Sequence, residues 1–173
     1  MGPGETGYDA VLVLHILSAI VGFGAVMLNG VYAAQARQRS PEGALAITEA
    51  NAFISSKPAK VGIYLTAFWG FGLVGMSDGV TEFSETWIWV SILIFAAAAL
   101  TSELGIGPTV KKIIAAQREL AEASPPESAG AAGGPPPHVA QLQALGKRVA
   151  MMSGYTHLSL VVILILMVFQ PGA

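Results

Sequence analysis

Three stretches of this chain, LHILSAIVGFGAVMLNG, TSELGIGP and MMSGYTHLSL, set an ionisable side chain among apolar neighbours: His15, Glu103 and His157. An imidazole beside a carboxylate can relay protons, and a neutral imidazole can ligate haem iron. Either group is costly in hydrocarbon, so each is a functional candidate by default. An ionised Glu103 alone there would be expensive, so it should be neutral or paired. The remaining histidine, His138, lies in a polar stretch and reads as an ordinary solvated residue. The chain has no cysteine, which removes disulfides, thiolate metal sites and iron–sulfur clusters. It also has no Ser/His/Asp arrangement, paired carboxylates or HExxH, so nothing supports hydrolase chemistry. The expectation is a non-catalytic or redox-accessory bundle ahead of an enzyme, with a structural or assembly subunit and a proton-coupled transporter as the alternatives.

These groups need elements to hold them. Of the 173 residues, 53% are hydrophobic and 12% charged, against a typical charged share of about 25%. That leaves too little polar surface to face water all round, and one membrane domain over residues 1–173 is the natural reading. Crossing ~30 Å of hydrocarbon takes about 20 mainly apolar residues as a helix. Four stretches are predicted to do so, at about 9–34, 58–76, 86–107 and 149–169. Strand-like alternation is absent, so helices are preferred to a barrel. The start, MGPGETGYDA, lacks a basic region and a small-residue cleavage site, and no cleaved signal is expected.

All nine Lys and Arg residues fall between the first and second spans or between the third and fourth. Basic flanks stay in the cytoplasm. Both termini and the acidic loop 77–85 should then be extracytoplasmic, with Tyr8, Trp87 and Trp89 in an interfacial belt at that edge. The expected fold is all-α: an integral-membrane four-helix antiparallel bundle, N-out and C-out, in the cytoplasmic (inner) membrane of a bacterium. Ser40 as N-cap and Pro41 at the first helical position open a short cytoplasmic amphipathic helix over 40–56. It would lie on the inner membrane surface or pad the floor of the bundle. TVKKIIAAQRELAEA (109–123) should continue the third span as a helix. The Pro- and Gly-rich segment 124–137 is expected to be a disordered linker, and HVAQLQALGKR to resume helix.

Helical spacing places His15, Ser18, Gly22, Ala25 and Asn29 on one small or polar stripe, which should face the bundle interior. At 1.5 Å per residue His15 lies roughly 8 Å below the outer edge, and His157 and Glu103 roughly 10 Å and 6 Å above the inner edge. Glu103 and His157 would then share an inner layer with Asn29, Thr66 and Tyr155. That layer either locks helix register, through a Glu103–His157 bond or a reach from Glu103 to Lys60 or Lys111, or relays protons. His15 would belong to an outer layer with Ser18 and Ser91. There it hydrogen-bonds and packs, or serves as axial ligand of a b-type haem, with His157, Met76 or water as the second ligand. No other metal is expected. The glycines of KVGIYLTAFWGFGLVGM signal close helix contact or a groove for a flat cofactor or lipid. The apolar end LVVILILMVF should face lipid or a partner subunit, so the expected partners are the bilayer, other membrane subunits or a second copy. Nucleic acid is not among them.

LHILSAIVGFGAVMLNGVYAA, KPAKVGIYLTAFWGFGLVG, ELGIGPTVKKI and GKRVAMMSGYTHLSLVVILILMVFQPG together resemble a bacterial family of small integral membrane proteins with no assigned function. More distantly, Leu14-His15 is similar to the start of the copper-resistance D membrane domain and of the four-helix protoporphyrinogen oxidases. The latter resemblance implies haem b with His15 as axial ligand. The third span departs from those oxidases: it has Glu103 where they carry a functional lysine and a further histidine.

Overall fold

A computed structural model describes residues 2–122 and 137–172. All regular structure among the described residues is helical: α1 (Thr6–Met27), α2 (Asn29–Ala36), α3 (Pro41–Ile54), α4 (Lys60–Gly75), α5 (Thr86–Leu100), α6 (Gly107–Glu122) and α7 (Pro137–Phe169). Single wide π-helical segments, Ser55–Ala59 and Thr101–Ile106, join α3 to α4 and α5 to α6. The seven helices therefore form four rods. Three stretches, Thr6–Ala36, Thr86–Glu122 and His138–Phe169, are long and apolar enough to cross a membrane. The α3–α4 rod is not among them: its apolar part, α4, contributes 16 residues, about 24 Å of helix, and Ser56, Lys57, Pro58 and Lys60 interrupt the apolar character at its start.

Several boundaries differ from the sequence expectation, each for a physical reason. The first span is broken at Leu28, immediately before Asn29-Gly30, a dipeptide that favours turns. α3 starts where expected, with Pro41 in its first turn and the Gly43 amide donating to Ser40 Oγ at 3.3 Å. Glu42 follows, its carboxyl held below the usual range by its own backbone N–H and by the Ser40 hydroxyl. The helix does not stop before the second span. It runs into α4 with helical backbone at both Ser55 and Ala59, because the wide turn around Pro58 absorbs the missing donor and the bulky ring. α3 is thus the continuation of a rod and packs on α6 and α2, with Arg118 paired to Glu49 at 2.7 Å. α6 continues the third rod as the sequence predicts, and α7 is helical well before Val149. The expected linker 124–137 lies outside the described residues, apart from Pro137, which opens α7.

The rods pack as two pairs. α1 lies along α4 and α5 along α7; the pairs are joined chiefly where α3 meets α6, and α1 touches α7 only locally. Few large side chains are buried: Trp87, Ile88, Leu160 and Ile163 are the main ones. Trp87 is therefore an inward residue, its indole N–H donating to Glu85, and of the two expected belt tryptophans only Trp89 faces outward. Leu93, Leu104, Leu158, Leu164 and Phe169 are among many large apolar side chains on the outside. An apolar surface of that extent belongs against lipid, not water.

Candidate functional site

His15, His157 and Glu103 each bond a group on another helix. On α1 the stripe His15–Ser18–Gly22 faces α4. Here the two backbones touch: a Cβ built on Gly62 would stand 2.7 Å from the Gly22 amide nitrogen and 3.0 Å from the Ser18 carbonyl oxygen. Only glycine at both positions permits that approach. One turn along α4, Thr66 is buried and donates its hydroxyl to the Gly62 carbonyl at 2.8 Å. Its own carbonyl takes a further bond, from His15 Nδ1 at 2.8 Å. A carbonyl can only accept, so Nδ1 carries the proton, and in the neutral ring the lone pair is left on Nε2. Gly70 makes room for the ring, since a Cβ there would lie 3.1 Å from His15 Cε1.

His157 on α7 makes an analogous bond. Its Nε2 donates to the Val26 carbonyl at 3.0 Å. Val26 sits in the last turn of α1, where the helical bonding pattern ends, and its carbonyl, which the Leu28 amide also approaches, is open to the imidazole. Beyond the break, Asn29 Oδ1 accepts from Ser55 Oγ at 3.0 Å, tying α2 to the wide turn before α4.

Glu103 lies in the wide turn between α5 and α6. Lys60 Nζ is 2.7 Å from both of its carboxylate oxygens, and the Tyr64 hydroxyl donates to Oε1 at 3.3 Å. The Glu103 and Lys60 side chains are about 40% exposed. The expected inner layer is thus not one cluster. Glu103 bonds Lys60 and Tyr64, not His157; Thr66 belongs with His15; Tyr155 points outward, 45% exposed. Among the described residues the buried Ser91 hydroxyl has no partner, and His15 bonds Thr66 instead of either serine.

The same geometry bears on cofactor binding. His157 reaches α1 at Val26, eleven residues from His15, roughly 16 Å along the helix. Two imidazoles so far apart cannot flank one iron. Met76 closes α4 six residues past Gly70, roughly 9 Å from the level of His15 by the same rise. Of the three candidates, then, only His15, through Nε2, would be placed to hold a haem iron, and neither His157 nor Met76 would join it. Among the described residues no group of three or more His, Cys, Asp or Glu could hold a metal ion.

Sequence reasoning missed the carbonyl acceptors Thr66 and Val26. The Val26 site had a signal in Asn29-Gly30, which marks a break three residues further on; a backbone acceptor in mid-helix such as Thr66 leaves none.

Helical rods with an apolar exterior and polar contacts reserved for helix junctions define an integral membrane protein. The chain belongs to the family described as predicted integral membrane protein DUF2269, whose model matches residues 9–171. No curated protein and no solved structure matches it. The wider resemblances to the copper-resistance D domain and the haem-binding oxidases gain no support from these comparisons.

Proposed function

We propose that this protein is a non-catalytic, four-span helix bundle of the bacterial inner membrane that serves as an accessory or assembly subunit. Its basic ends face the cytoplasm and both termini face out, as the positive-inside rule requires of nine cations gathered at one end. α4 crosses with α1 as its partner. The observation that carries the reading is the use of the polar groups: His15, His157 and Glu103 are each engaged between helices and do not converge on a space where a substrate could react. Such contacts position helices.

A docking role draws on α7. Met151, Leu158, Val161, Ile165 and Val168 are exposed, and with Gly154 they alternate at spacings of three and four. That is the pattern by which one helix packs along another. The cysteine-free chain makes the test clean: single cysteines placed along α7 are cross-linked in native membranes. Adducts at 151, 158, 161, 165 and 168, and none at the buried Ser159 and Ile163, are expected. Uniformly absent adducts on the seam overturn the docking role.

The free Nε2 of His15 supports a second reading, a redox-accessory bundle holding one b-type haem. When bound, such a haem would supply reversible one-electron transfer; His15 would ligate it, with Thr66 and Gly70 orienting the ring. Visible spectra before and after dithionite decide it. A Soret band lost in His15→Ala supports ligation, and a colourless protein from haem-replete cells removes it.

A further inference from the structure

Where α1 and α4 meet backbone to backbone, their larger side chains stand apart on either side of the contact. On one side this leaves an open groove of about 1000 Å³, with Gly62 and Ser18 among its lining residues. Leu17 and Val21 of α1 and Val61, Leu65 and Phe68 of α4 make its body almost wholly apolar. Apart from Ser18, its polar residues gather at the basic end: Lys57 and Lys60, with Ser56 and Tyr64 beside them.

Two features say what suits this groove. The first is length. From Lys57 to Phe68 is eleven residues, roughly 16 Å of helix, close to the ~15 Å depth of one leaflet's hydrocarbon. The second is charge. Lys60 is neutralised by Glu103 and Arg118 by Glu49, whereas Lys57 is exposed and meets no counter-ion among the described residues. An apolar channel one leaflet deep, ending at an unneutralised ammonium, complements an acyl chain ending in a phosphate.

We propose that the α1–α4 groove is a binding site for one anionic glycerophospholipid of the leaflet at the basic end of the protein. One acyl chain lies along Leu17, Val21, Val61 and Leu65, and the headgroup phosphate meets Lys57. Basic pockets between membrane helices on that side select anionic headgroups. A zwitterionic lipid would set its own ammonium among the lysines. This assignment is independent of the accessory-subunit and haem readings.

The test uses the full-length protein in detergent, delipidated and then offered equal phosphatidylglycerol and phosphatidylethanolamine of matched chains, with bound lipid counted by native mass spectrometry. The wild type should retain phosphatidylglycerol preferentially. Lys57→Ala should reduce that preference about five-fold, the equivalent of ~1 kcal/mol for one lysine near an anionic headgroup. Val61→Trp should fill the groove and lower retention of both lipids, with Leu65→Trp as a second filling variant should the first not fold. Equal retention of the two lipids by the wild type, or a preference unchanged in Lys57→Ala, overturns the assignment. So does a dimer that Val61→Trp dissociates, which would make a second copy the occupant.

Discussion

Leucine at Gly62 is expected to abolish the α1–α4 pairing and with it the recovery of folded protein. Even the first added carbon would stand 2.7 Å and 2.9 Å from the backbone N and Cα of Gly22, atoms that cannot rotate away. Relief requires separating two helices along their closest contact. Overpacking a core typically costs 1–3 kcal/mol, and because backbone opposes backbone here we expect at least about 3 kcal/mol, the upper end of that range. Gly22→Leu should behave alike, since a Cβ there would come 2.6 Å from the Ile63 amide nitrogen. Gly24 supplies the control: on the same helix, two residues on, a Cβ meets nothing within 4 Å. Gly24→Leu should leave thermal unfolding in detergent nearly unchanged while Gly22→Leu and Gly62→Leu lose the monodisperse peak. Equal behaviour of all three would refute backbone contact as the organiser of this pair.

Lys60→Met is expected to destabilise the protein more than Glu103→Gln. Removing the ammonium leaves a carboxylate with only the Tyr64 hydroxyl as partner among the described residues. Breaking a fully buried pair costs about 3–5 kcal/mol, and an exposed one about 0–1. With both side chains about 40% exposed, roughly 1–3 kcal/mol lies between those limits. Glu103→Gln is milder because the lysine stem can extend and carry its charge to water, and the amide can still accept from Tyr64. The double variant should recover much of the loss seen in Lys60→Met. Chemical unfolding of the four proteins in one detergent supplies the cycle, and an additive double variant would show that the two groups do not act together.

Much of the architecture is legible in the sequence because hydropathy and charge act over whole rods. The long apolar runs, the gathering of cations and the Ser40-Pro41 helix start are properties of consecutive residues, and the structure keeps them as helices, basic connections and a capped α3. The stripe His15–Ser18–Gly22 is likewise local and faces α4 as its spacing predicts. What does not show is whatever depends on how two rods slide past each other. Depth arithmetic set Thr66 apart from His15, whereas the Gly22–Gly62 contact fixes the register that brings them together. It set Glu103 in one layer with His157 and left its partner open among His157, Lys60 and Lys111; the register of the rods selects Lys60. The helix over 40–56 and the span from 58 read as separate elements, yet a wide turn at Pro58 joins them in one rod. Hydrogen bonds from side chains to carbonyls of other helices are invisible to any pattern of residue types, because every residue has a carbonyl.

The shortness of α4 bears on how the protein is made. A segment of 16 residues, interrupted by four glycines and bounded by a lysine, partitions poorly from the insertion machinery into lipid on its own. Synthesised after α1, it would enter as that helix's passenger, admitted when the two glycine faces dock. A variant that cannot dock would then fail at the ribosome-bound stage, stranding the loop that follows on the wrong side of the membrane.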